Sequence, residues 1–404
     1  VSAVATALLV GPAAVASGAT FPALTRLVGA EAQIRKLYAA NVVGAAAGGL
    51  AAGLWLPQTL GLSGTLYLAA ALVGAAGLVM APFARGGAPA EADTLPVPKD
   101  PVSLPAALAA YAVLGGAGMG AEVGWTRLLE QTGPNPGSLT FPLVLTAYLI
   151  GLALGGVVVE PRIRRLGEGR ALGLACATTG VVTLVGLVGM LLMPAEALLG
   201  HHVGPGPGNK VIFDLTGVLV SADKLLLYLL AAGIPGVASG AAFPIAVSAL
   251  ARASHGLGRG VGLTAATGIA ASVLMSLWMG FLPTWGPGVV RSFVLLALLA
   301  LAVGTWLSRS RVVGALAVLG LAGFLVPPWA GLQTYAGEEV IAFVETAAGP
   351  SAVTQDEFDR TFIYTHGEKV PGLDLDLEVP LALHPAPHRV VLVAFGTGRN
   401  TKRF

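Results

Sequence analysis

The sequence predicts an α-helical polytopic membrane domain, built from parallel six-helix repeats of which the first is incomplete, followed by the start of an α/β domain with a small β region ahead of it. Three observations predict this. The 404 residues are 55% AVILMFWYC and only 11% charged, with mean hydropathy +0.79, whereas an ordinary soluble domain is about 25% charged. Apolar runs of about 20 residues, the length that crosses a ~30 Å hydrocarbon layer, recur along most of the chain. From Gly331 onward acidic residues crowd together and hydropathy no longer supports a span. The composition excludes a purely soluble globular protein and a disordered chain, and makes the lipid bilayer the first partner. A formal net charge of +2 gives no reason to expect nucleic acid. The 56 glycines and 27 prolines suit membrane helices, where neighbours re-satisfy the backbone. The one cysteine, Cys176, lies in an apolar run and reads as packing.

The apolar runs fall at residues 1–24, 37–56, 65–83, 102–125, 139–159, 171–193, 225–249, 261–282 and 289–307, with a weaker one at 312–326. The first begins at Val1 without a basic segment or a small-residue cleavage site, so it does not read as a signal peptide. Arg26, Arg35 and Lys36 follow the first run, Arg85 and Lys99 the third, Arg162, Arg164, Arg165 and Arg170 the fifth, Arg252 and Arg259 the seventh, and Arg309 and Arg311 the ninth. The alternate connections, such as Pro57 to Gly64 and Pro283 to Gly288, are nearly uncharged. By the positive-inside rule every odd-numbered span ends on the basic, cytoplasmic side of the membrane.

The helices repeat. Gly18-Ala-Thr-Phe-Pro22 recurs as Gly240-Ala-Ala-Phe-Pro244, at an offset of 222 residues. Ala39-Ala40-Asn41 matches Ala265-Ala266-Thr267, and Leu56-Pro57 matches Leu282-Pro283, both at 226. Order and membrane direction are the same in both copies, which is a parallel repeat about an axis along the membrane normal. This divides the chain into 1–83, the last three helices of repeat one; 84–101, a linker; 102–311, repeat two; 312–330, an extra helix and linker; 331–388, a β-rich region; and 389–404. The opening three helices of repeat one are expected to precede Val1.

In the water-facing part, residues 340–344 and 361–364 are rich in β-branched and aromatic residues and read as strands. Residues 390–394 form an apolar strand that runs into Gly396-Thr397-Gly398. Such a strand-to-helix turn lets the backbone approach a nucleotide-like ligand. Asp374, Asp376 and Glu378 alternate with Leu373, Leu375 and Leu377. That period suits a solvated strand face, and their charge would also suit an amine.

Ionisable residues inside membrane runs default to functional hypotheses. Glu122 stands first, three residues before Trp125 and five before Arg127. Two readings stay open, a coupling-ion or substrate site, and an interfacial anchor with Trp125 in the aromatic belt and Arg127 at the surface. Asn41, in a helix carrying Gly44, Gly48, Gly49 and Gly53, is expected to make an interhelical hydrogen bond between closely packed helices. His201-His202 reads as an exposed loop, and no metal site is expected.

Glu122-Val-Gly-Trp125-Thr-Arg127, Leu149-Ile-Gly151-Leu-Ala-Leu-Gly155-Gly156, the Gly-Ala-x-Phe-Pro pair and Tyr38-Ala-Ala-Asn41-Val-Val-Gly44 resemble the bacterial membrane-fused spermidine synthase-like proteins. In these, major-facilitator-like helices are joined to an aminopropyltransferase domain. The stretch from Val379-Pro380-Leu381 through His384-Pro385-Ala386-Pro387-His388-Arg389 to Gly398 is similar to that domain's approach to its Rossmann-like, methyltransferase-type fold. The resemblance implies decarboxylated S-adenosylmethionine as cosubstrate, Gly396, Thr397 and Gly398 as residues against it, and a small amine as acceptor. Ala394 stands where the family has its first glycine, and 371–378 lacks the family's Tyr-His-Glu run. The acidic residues that would hold the ribose and deprotonate the amine fall beyond Phe404, so no catalytic residue is named.

Three functions follow: a membrane-tethered aminopropyltransferase, a non-catalytic scaffold subunit of a membrane complex, and a transporter of polyamines or another small solute. If 312–326 crosses the bilayer, parity puts the C-terminal domain in the periplasm, and the absence of charge between Arg311 and Glu338 leans that way.

Overall fold

The computed structural model describes residues 31–84, 101–131, 140–192, 211–214, 219–221, 229–253, 257–281, 287–327, 338–346, 349–358, 361–365 and 368–369, with a few isolated positions besides. Seven of its helices are long and apolar enough to cross a membrane, and the chain is a multi-pass membrane protein. In hydrocarbon every backbone N–H and C=O must be satisfied within the segment, which is why these apolar runs are helical.

The helices are α1 (Glu31–Leu50), α2 (Leu56–Ala84), α3 (Leu104–Gln131), α4 (Thr140–Leu154), α5 (Glu168–Leu192), α6 (Ile234–Ala253), α7 (Leu257–Phe281), α8 (Gly288–Ser308) and α9 (Arg311–Gly320). A π-helical turn, Ala51–Trp55, joins α1 to α2; another, Gly155–Val159, carries α4 on towards Arg164–Leu166; a third, Leu229–Gly233, leads into α6. The loop expected at Pro57 to Gly64 is instead helical except at Gly61, whose φ of 69° and ψ of 172° break the helix at one residue. That backbone conformation is open to glycine at little cost.

α6 is the central helix. It packs on α3, α4, α5 and α7, and 78% of its spanning window is buried against 6% for that of α2. It can sit there because it is made of small residues. A Cβ on Gly236 would overlap the Tyr148 carbonyl oxygen, and one on Gly240 the Leu152 carbonyl. Across the interface, a Cβ on Gly151 would overlap the Gly233 carbonyl, and one on Gly155 the Val237 carbonyl. Both helices thus present a glycine every fourth residue, Gly151 with Gly155 and Gly236 with Gly240, and their backbones touch. The other main contacts are α3 with α7, α5 with α8 and α1 with α4. Cys176 is buried between α5 and α3, its thiol directed at the Ala110 carbonyl at 3.8 Å, the packing role expected of it.

The last helix decides where the chain goes next. Ser310 caps α9 by accepting from the Val313 N–H at 3.5 Å. The helix continues as a 3-10 segment, Leu321–Leu325. Gly314 lies at Thr305, Gly320 at Leu298 and Gly323 at Val294, so the segment runs antiparallel along α8 towards its N-terminal end. Ten α-helical and five 3-10 residues cover about 25 Å, slightly less than the hydrocarbon layer.

Beyond it lies a four-stranded antiparallel sheet, β3 (Glu339–Thr346), β4 (Gly349–Gln355), β5 (Thr361–Thr365) and β6 (Glu368–Lys369), in sequential order. A separate antiparallel pair, β1 (Val211–Asp214) and β2 (Leu219–Ser221), falls in the Gly/Pro-rich connection before α6. The two expected strands are β3 and β5. Between them, β4 carries Gly349, Pro350 and Ser351 at its start, a composition that reads as a turn and is held extended by its two neighbours. The α/β fold expected after residue 389 lies outside the described residues, as do 1–14 and His201-His202.

Gly240→Leu is expected to prevent α4 and α6 from meeting, because overpacking a tight contact costs about 1 to 3 kcal/mol and a backbone clash more. Gly44→Ala, at a position with open space around it, is expected to leave stability within about 0.5 kcal/mol. Thermal unfolding of both variants in detergent checks this.

Candidate functional site

The site grows out of α6. Phe243, from the Gly240-Ala-Ala-Phe243-Pro244 motif, stacks on Tyr38 of α1 with ring centroids 4.3 Å apart and planes at 15°. Tyr111 of α3 lies against its other side at 5.7 Å and 53°. Three helices therefore meet on one ring, each aromatic pair worth about 0.5 to 1.5 kcal/mol beyond area burial. The motif at 240–244 is a packing device: Gly240 admits α4 and Phe243 joins α1 to α3.

One step further along the interior, polar groups gather. Tyr148 of α4 places its hydroxyl where a side chain on Gly118 would stand, close to Ser239 of α6. The Ser239 hydroxyl donates to the Leu114 carbonyl at 3.3 Å. Glu122 follows Gly118 by one turn of α3 and lies within electrostatic reach of Tyr148. Its side chain belongs to a residue only 2% exposed, and among the described residues neither carboxylate oxygen has a hydrogen-bond partner. The Thr146 hydroxyl and the Trp125 indole N–H are likewise buried without one. A charged side chain at the centre of a membrane helix costs about 2.5 to 3.5 kcal/mol on insertion scales. Glu122 thus needs a positive partner, either a proton or a cation.

The anchor reading of this motif is corrected. Trp125 is 1% exposed and sits in the core, its ring 4.6 Å from Phe293 of α8 at 44°, so it belongs to no interfacial belt. Three residues separate it from Glu122, which puts both on the inward face of α3. Arg127 is not at the open surface either. It is half-buried at the end of α3 and lies 3.9 Å from the Glu345 carboxylate.

Glu345, from β3, is the residue that sequence reading missed. Its other oxygen accepts the Val289 N–H at 2.9 Å, satisfying one of the free donors at the first turn of α8. One buried carboxylate thus holds the sheet to α3 and α8 together, and β4 rests against α3. The available signal is an acid directly after an apolar run, Val340-Ile341-Ala342-Phe343-Val344, near the end of β3.

The opposite end of the bundle is the basic one. There Arg252 pairs with Glu168, which also accepts from the Val102 N–H at 3.4 Å, and Arg164 donates to Ser248 at 2.6 Å and pairs with Glu160 at 3.4 Å. The sheet is therefore fixed to the end away from these arginines.

Asn41 does not join the site. The buried positions of α1 are Tyr38, Val42 and Ala46, one helical stripe, and Asn41 stands beside that stripe on an exposed face. The expected interhelical hydrogen bond is absent among the described residues. Of the nearby glycines Gly44 and Gly48 have nothing within 4 Å and Gly49 only touches Leu145, while Gly53 meets Pro142, so the tight glycine contact comes in the π-helical turn after α1. Gly396, Thr397, Gly398, Asp374, Asp376 and Glu378 lie outside the described residues.

Removal of the carboxylate in Glu345→Ala is expected to cost about 1.5 to 3 kcal/mol of docking, the range for a charge-assisted hydrogen bond. Hydrogen exchange in β3 and at the start of α8 should quicken while α5 and α6 stay protected.

No family model, no curated protein and no solved structure matches the chain.

Proposed function

We propose that the chain is an integral membrane protein of the spermidine synthase-like fusion type, seated in the bacterial inner membrane, whose helical bundle moves a small amine cation and uses the Glu122 carboxylate as its counter-charge. The observation that carries the reading is a buried carboxylate, 2% exposed, with no hydrogen-bond partner among the described residues. An intramembrane acid facing the bundle interior is the usual mark of an ion or proton path. Tyr148 supplies a hydroxyl within electrostatic reach of it, close to Ser239, and Tyr38, Tyr111 and Phe243 are buried in the same bundle. The resemblance supplies the class of cation, a polyamine.

The attachment of the sheet at the end away from the basic loops favours a periplasmic C-terminal region, by the positive-inside rule. Decarboxylated S-adenosylmethionine is a cytoplasmic metabolite. On this placement the C-terminal region is a docked scaffold, and aminopropyl transfer through Gly396, Thr397 and Gly398 is the weaker reading.

In proteoliposomes holding the full chain, labelled spermidine is expected to accumulate under a pH gradient, and Glu122→Gln to lower the rate at least tenfold, with Tyr148→Phe between the two. Uptake unchanged in Glu122→Gln would remove the carboxylate from the mechanism. A reporter fused after Gly337 should be active as a periplasmic phosphatase and silent as a cytoplasmic fluorophore; the reverse would restore the enzyme reading.

A further inference from the structure

At the basic end of the bundle, the starts of α3 and α5 and the end of α8 enclose a cavity of about 640 Å³ lined by Val102, Ser103, Arg170, Trp306, Ser308 and Arg309 among others. That volume is in the range of small-ligand sites. The cavity lies far from Glu122, at the other end of α3, and plays no part in the transport reading.

Its charged lining residues among those described, Arg170 and Arg309, are both basic. Glu168, next to the lining residue Gly169, is engaged by Arg252 and the Val102 N–H. Arg170 and Arg309 are exposed and make no ion pair among the described residues. The first turn of α3 opens on the same space, adding the positive end of its dipole. Arg309 is also the one non-glycine residue with positive φ among the described residues, at φ 53° and ψ 29°. The left-handed residue closes α8, a common way for a helix to end, and Arg309 lines the cavity.

The depth of the cavity names the ligand. Trp306, 57% exposed, stands in the wall one turn inside Arg309, where an indole marks the boundary between hydrocarbon and headgroups. A site at this level offers two guanidinium groups and hydroxyls to a phosphate and an apolar flank to acyl chains. We propose that this cavity binds the phosphate of an anionic glycerophospholipid, with Arg170 and Arg309 as its ligands. Basic pockets between membrane helices on the cytoplasmic side suit such headgroups.

The test uses the full chain in detergent, with phosphatidylglycerol binding read by native mass spectrometry and by the shift in unfolding temperature. The variant is Arg170→Gln combined with Arg309→Asn, since asparagine tolerates the left-handed backbone at 309. Each arginine near a headgroup contributes about fivefold, so the pair should weaken binding about 30-fold. Arg259→Gln, a basic residue of the same end outside the cavity, should bind as the unaltered chain does, and phosphatidylcholine should not compete. A second variant, Ser103→Asp, places a like charge in the wall and should also lose the lipid. Inorganic phosphate alone should give no stabilisation. If it matches the lipid, the site takes free phosphate and the lipid assignment falls. Equal binding by the double variant, or by phosphatidylcholine, overturns the site itself.

Discussion

The structure depends on the backbone contact between α4 and α6. Lipid is as apolar as leucine, so no hydrophobic gain draws membrane helices together, and close packing has to do that work. Glycines at 151, 155, 236 and 240 remove the side chains that would keep the two helices apart. Once α4 and α6 touch, α6 is surrounded by α3, α5 and α7 as well, and everything buried in the bundle is positioned relative to it.

The interior site is a consequence of that contact. Ser239 lies one residue before Gly240, so the glycine that admits α4 also brings Ser239 to the Tyr148 hydroxyl. Phe243 follows one turn later on the same helix and fixes α1 and α3 through Tyr38 and Tyr111. Glu122 is then enclosed with no hydrogen-bond partner among the described residues, although Arg127 is only five residues away. The helical turn explains why. Arg127 points to the end of the bundle, where Glu345 takes its charge, and the interior acid is left for something that comes and goes.

The two ends of the bundle are built differently. The basic end is held by side-chain pairs within the membrane domain, Arg252 with Glu168 and Arg164 with Glu160. The other is joined to the sheet by the Glu345 carboxylate, which serves Arg127 and the amide of Val289 at once, and by β4 resting on α3. The short α9 with its 3-10 extension is the strap between them. A tighter 3-10 helix rises further per residue, which lets fifteen residues travel along α8 from Thr305 to Val294 and hand the chain to β3 beside the α8 N-terminus.

Seven of the expected spans and the strands at 340–344 and 361–364 were legible in the sequence, because hydropathy and β-branched runs are local properties that a bilayer or a sheet reads residue by residue. So was the exceptional standing of Glu122, since an acid in an apolar run is costly wherever the helix ends up. Asn41 and Trp125 were misread for the same reason: which face of a helix points inward depends on its neighbours, and α1 buries the stripe of Tyr38 while α3 buries Trp125. β4 was invisible because Gly349-Pro350-Ser351 is extended only between two partner strands. The sequence by itself determined that this is a multi-pass membrane protein with strands after its helices. Tertiary structure alone decided which glycines carry backbone contact, which polar groups meet around Glu122, and to which end Glu345 ties the sheet, because each of these is a meeting of residues far apart in the chain.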